Sequence, residues 1–165
     1  MSDHLTFAEL MAYTDEETGR WHAWLREQDR EVLEVRVGEG SRVTVREIIH
    51  HIFAVERRYA DRLHGELPTA YDAIPMEPLD TLFEVHREGR ALLRRFVETA
   101  TPEDWARVLV METISAGTLR GSARKVVAHA LMHGIRHWAQ LATVLRAEGY
   151  RQPWGHDLLL SEALD

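Results

Sequence analysis

Four long segments of this chain space their apolar residues every three or four positions. Each is bracketed by helix start or stop signals, which leaves room for little except packed helices. The first opens at Thr6-Phe-Ala-Glu9, where a threonine and a glutamate three residues apart can satisfy each other's free backbone N–H groups. It continues through Leu10, Tyr13, Trp21, Trp24 and Leu25, weakened locally by Gly19. A second capping box, Thr44-Val-Arg-Glu47, starts a segment that stops at Gly65 with Pro68 beyond. The third begins at Pro78, suited to a first helical position, and carries Leu79, Leu82, Phe83, Val85, Leu92, Leu93, Phe96 and Val97. The fourth runs from Ser122 to Glu148 and is closed by Gly149. Helices at about 6–30, 45–64, 78–99 and 122–148 predict an all-α four-helix bundle, a single domain over residues 1–165, with a long connection before the last helix.

The connections read less regularly. Val32 to Val45 alternates around Gly38 and Gly40 as a hairpin could, but the capping box at its end favours a structured loop. Thr101-Pro-Glu-Asp104 is a helix start, followed by the apolar run Val108-Leu-Val-Met111 and Gly117, which predicts a short turn and an extended connector. The tail from Tyr150 through Trp154 is expected to be irregular and then to pack or fray.

Composition narrows the chemistry. There are no cysteines, so disulfides and thiolate metal sites are excluded, and imidazole and carboxylate remain as metal ligands. A net charge of −7 with no local cluster of Lys and Arg argues against nucleic acid. No apolar run approaches the roughly 20 residues needed to cross a bilayer, and the first residues lack the pattern of a secretory leader. A cytoplasmic protein with no membrane partner is expected. No Ser/His/Asp order, Gly-rich phosphate loop or paired acidic motif is present.

Histidine is the residue type that stands out. The last segment places His129, His133 and His137 at steps of four, a stripe that drifts by about 40° per step along one side of a helix. His133 and His137 share their direction with Val126 and Val144, a half-buried edge, whereas His129 lies toward Lys125, Arg136 and Gln140. A pair at i and i+4 is as readily solvated as chelating, and two ligands do not make a site. The second segment supplies candidates in Ile48-Ile-His50-His51-Ile-Phe-Ala-Val-Glu56. His51 falls at the edge of the stripe of Ile48, Ile52, Val55, Tyr59 and Leu63, and His50 faces away from it toward water. Glu56 lies within the apolar arc and requires a buried partner such as a histidine N–H or an arginine. His4, His22, His64, His86 and His156 show no partner pattern and are assigned to surface or packing. The tryptophans are read as core or rim, and Arg57-Arg58 and Arg94-Arg95 as solvated faces.

The order and context of these residues resemble the DinB/YfiT-like family over nearly the whole chain. The likeness rests on His51-Ile-Phe-Ala-Val-Glu56 and on the late His133-Gly-Ile-Arg-His137-Trp-Ala-Gln140, followed by Leu141 and Leu145-Arg-Ala-Glu-Gly149. Carried over position by position, the family's three metal ligands fall on His51, His133 and His137. Many members have Arg-Gly after the last histidine where this chain has Trp138-Ala139, a change that alters packing and pocket shape. The resemblance implies a divalent metal (zinc, nickel, iron or manganese) at the open end of the bundle, and a homodimer. It also implies a small-molecule substrate. Some relatives are thiol S-transferases or isomerases that use a low-molecular-weight thiol, bacillithiol or mycothiol. Three imidazoles would leave a position open for a thiol or for water, so hydrolysis is the alternative chemistry. The alternative of another class is a non-catalytic dimeric bundle that binds a ligand or serves a stress response.

Overall fold

The sequence signals at the helix ends are realised as hydrogen bonds. In the computed structural model, which describes residues 4–38, 44–113 and 117–163, Thr6 accepts from the Glu9 backbone N–H and the Glu9 carboxylate accepts from that of Thr6. This box opens α1 (Phe7–Glu27). The same reciprocal pair between Thr44 and Glu47 opens α2 (Val45–Leu63). Beyond α2, Gly65 takes a φ of 78°, the left-handed conformation that ends a helix without a Cβ penalty. The third helix, α3 (Leu79–Thr99), has Pro78 as its cap and not as its first residue. The last helix, α5 (Ala123–Ala147), is capped by Ser122 and closed at Gly149, φ 91°.

The connection before the last helix is more ordered than an extended connector. Thr101 and Asp104 form a third capping box that opens the short α4 (Pro102–Ala106). An antiparallel hairpin of β1 (Val108–Thr113) and β2 (Gly117–Ser122) follows, in register from Val108 opposite Ser122 to Thr113 opposite Gly117. Met111 is buried while Val108 and Val110 are exposed, so one strand face packs on the bundle. Four successive apolar residues hide that alternation in the sequence, so the extended run is legible there but its pairing is not. The fold remains helical, with this two-stranded sheet as its sole sheet among the described residues.

Between α1 and α2 the chain makes a 3-10 turn (Arg30–Glu34) that buries Val32 and Leu33. A single antiparallel bridge then joins Arg36 to Thr44. The preference for a structured loop fits these features, although Gly40 lies outside the described residues.

The core divides into two clusters. The larger centres on Trp21, Phe53, Phe83 and Trp138, and the smaller on Met11, Leu93, Phe96 and Leu131. Trp21 and Trp138 stack with centroids 5.0 Å apart, so the tryptophan after His137 is a core residue that anchors α5 to α1. The tail packs on this cluster. Trp154 and His156 reach the buried Glu17 at 3.2 and 2.5 Å, and the Tyr13 hydroxyl donates to the His156 carbonyl. No helix among the described residues is long and apolar enough to cross a membrane.

Candidate metal centre

The site forms where α2 meets α5. The capping box at Thr44 fixes the start of α2, and from that phase His51 arrives half-buried on the side facing α5. On α5 the i and i+4 spacing stacks His133 and His137 on one face, each 8% exposed. Nε2 of His133 lies 3.1 Å from Nε2 of His51 and 3.2 Å from Nε2 of His137. The candidate ligand nitrogens of all three rings fall within 4.8 Å of one another. Nitrogens about 2.0–2.1 Å from a tetrahedral zinc ion lie roughly 3.3 Å apart, so the two short separations already match a chelating arrangement.

The outer nitrogens are held. Nδ1 of His51 is 3.0 Å from the Tyr71 hydroxyl, and Nδ1 of His137 is 2.9 Å from the Gln140 side-chain oxygen. A carbonyl oxygen can only accept, so His137 carries its proton on Nδ1 and presents the Nε2 lone pair to the other rings. Burial pushes His133 down to about 2, helped by the neighbouring His137 and His51 rings, so this imidazole stays neutral and able to coordinate. Imidazole nitrogens converging from two helices, with two of the rings bonded at their outer nitrogens, are a donor set that suits a divalent ion of the zinc, nickel or iron kind.

Tyr71 reaches the site from a 3-10 turn (Tyr71–Ala73) in the segment between α2 and α3. That segment is tied to α2 several times over. Arg58 donates to the Thr69 carbonyl and lies 5.1 Å over the Tyr71 ring, and Asp61 accepts from both the backbone N–H and the hydroxyl of Thr69. The same segment corrects one expectation. His50 does not face water: it is 6% exposed, with Nε2 3.0 Å from the Ile74 carbonyl. A helical wheel treats the side away from the bundle as solvent, and here the returning chain covers it. Arg57 and Arg58 are likewise not freely solvated. Arg57 is half-buried between Asp61 and Glu88, and Arg58 clamps the 69–71 segment.

His129 is exposed, its ring 5.5 Å from His133 and edge-on to Tyr59, as the polar-flank reading expects. Glu56 has the buried partners its position requires. Arg90 donates to one carboxylate oxygen at 2.7 Å, and His86 Nδ1 lies 3.1 Å from the other. Burial alone would raise its pKa, but Arg90 and His86 overcome that and hold it below the ordinary value. The remaining histidines serve packing or the surface. His22 bonds Asp80, His64 bonds the Leu92 carbonyl, His156 bonds Glu17, and His4 is exposed.

Two supporting residues escaped the sequence reading. Gln140 could have been found, because three residues after His137 is the same helix face. Tyr71 could not, since it lies in a segment without periodicity. Among comparisons with known proteins, the model of the DinB family matches residues 1–163 of the chain, and no curated protein matches it.

Proposed function

The chain belongs to the DinB family, and we propose that it is a metal-dependent enzyme acting on a small molecule, with His51, His133 and His137 holding a divalent ion. The leading chemistry is S-transfer from a low-molecular-weight thiol to an electrophile. The observation that carries this reading is the convergence of three Nε2 atoms, with adjacent pairs 3.1 and 3.2 Å apart and two of the rings held from behind. When bound, the ion would supply Lewis acidity that lowers the pKa of a coordinated thiol or water.

The protein's own residues provide the rest. Three protein ligands leave at least one coordination position for a reactant, unlike a closed structural site. Gln140 and Tyr71 hold the His137 and His51 rings at their outer nitrogens and so fix ring orientation before an ion arrives. With no cysteine in the chain, a nucleophilic thiol has to come from a cosubstrate. Homodimerisation belongs to the same proposal.

Elemental analysis of protein purified without a histidine tag tests the site. About one zinc-type ion per chain, lost in His137→Ala, supports it. Metal-free protein that takes up neither Zn²⁺ nor Ni²⁺ overturns it. A panel of small thiols with a chromogenic electrophile tests the chemistry: turnover that requires both the metal and a thiol supports S-transfer, and turnover with water alone replaces it with hydrolysis.

A further inference from the structure

We propose that the cleft between α1 and α3, on elements that contribute none of the three histidines, binds a small organic carboxylate carried on a flat apolar body. The cleft has a volume of about 350 Å³, at the small end of the range of ligand pockets, about 300–1,000 Å³. The two helices are tied at both ends of it. At one end Asp15 meets Arg90 at 3.1 Å and Arg94 at 2.5 Å. At the other, His22 bonds Asp80 at 2.8 Å and stacks on Phe83 with centroids 4.0 Å apart. Between these ties the helices face each other across open space.

Gly19 marks that space. It lines the cleft within α1, and a Cβ built on it meets nothing within 4 Å. A glycine inside a helix is destabilising relative to alanine, and neither a close contact nor a left-handed φ requires one here. What it provides is room. Opposite, Ala91 on α3 is also small and also lines the cleft.

The lining itself is richer in arginine than in carboxylate. Three lining arginines, Arg87, Arg90 and Arg94, face the single lining carboxylate of Asp15, in a protein of net charge −7. Arg90 is buried and already neutralised by Glu56 and Asp15. Arg87 is 58% exposed, and its ion pair among the described residues is with Glu84 of its own helix at 3.5 Å, so its guanidinium fork is available to a carboxylate. His86 also lines the cleft. It is 7% exposed, with Nδ1 3.1 Å from the Glu56 carboxylate at the inner side of the cleft. The His22 ring, stacked on the buried Phe83, lines the cleft beside these groups as a flat surface.

Benzoate is the test ligand, titrated into the full chain as purified and followed by the histidine ring resonances and by calorimetry. Saturable one-to-one binding that moves the His86 and His22 signals supports the proposal. It is further supported if affinity drops at least tenfold in Gly19→Leu and in Arg87→Glu while both melt like the parent chain. Unchanged binding in His137→Ala separates the cleft from the metal site, and loss there overturns the proposal. So does benzamide binding as tightly as benzoate, or equal affinity in Gly19→Leu. A dimer that Gly19→Leu converts to monomer, with no benzoate response in the parent, also overturns it, because the cleft would then belong to a second copy of the chain.

Discussion

The Tyr71 hydroxyl lies 3.0 Å from Nδ1 of His51, which couples a candidate ligand on α2 to a turn twenty residues further along the chain. The bond fixes the ring that completes the triad, so removing it should loosen metal binding without removing a ligand. Tyr71→Phe keeps the ring that packs beneath Arg58 and deletes only the hydroxyl. Its metal affinity is expected to fall by about 10–100-fold, measured by competition with a chromophoric chelator. Stoichiometry should remain at that of the parent.

His50 and His51 are neighbours with separable roles. His50→Ala removes the buried partner of the Ile74 carbonyl and should cost about 1–3 kcal/mol of stability while leaving bound metal unchanged. His51→Ala should do the reverse, losing metal with little effect on the urea midpoint of the metal-free chain. Elemental analysis beside urea unfolding distinguishes the two. If His50→Ala strips the metal and His51→Ala retains it, the assignment on α2 is wrong.

Helix phase explains both the reach and the failure of the sequence reading around these residues. The four long helices and the three inward histidines follow from periodicity and capping, which are local, and the family match spans the same residues. His50 was misplaced because a wheel carries no information about a segment that returns over the far side of its helix. Tyr71 is invisible for the same reason, being placed by the docking of residues 69–74 and not by its neighbours in sequence. The hairpin after α4 was lost in a run of four apolar residues, where strand and helix look alike. Glu56 was legible as an anomaly, a carboxylate in an apolar arc, though the identity of its partners on α3 was not.

Glu56 gives a pH prediction. Burial raises its pKa, but Arg90 and His86 more than offset this and hold the folded value below the ordinary 4.5. The stabilisation is therefore fully present above the unfolded pKa and is lost as pH falls through the folded one. Glu56→Gln leaves Arg90 without its closest anion and should cost about 3 kcal/mol or more at pH 7. The gap from the parent should narrow below about pH 4.5, where the unfolded parent takes up a proton. Urea titrations at pH 7, 5, 4 and 3 check the trend, and a gap that widens on acidification contradicts the assignment.

Two helical glycines should respond oppositely to alanine, because of what each faces. Gly134 lies on α5 between His133 and Ile135, and an added Cβ would sit 3.6 Å from a methyl carbon of Ile52, an ordinary contact. Gly134→Ala should be neutral or stabilising by up to about 1 kcal/mol from helix propensity, with metal binding retained. Gly89 lies on α3 where it crosses α2, and the same Cβ would fall 3.2 Å from Cα and 3.4 Å from N of Arg57. Those are backbone atoms, held by α2 and by the pairing of Arg57 with Asp61, so relief requires the helices to separate. Such overpacking costs about 1–3 kcal/mol, more than the propensity gain, and Gly89→Ala should lower the urea midpoint. Movement of α3 would also disturb Arg90 and His86, the partners of Glu56 across the same interface. A stabilised Gly89→Ala would mean that the two helices are not closely apposed at Arg57.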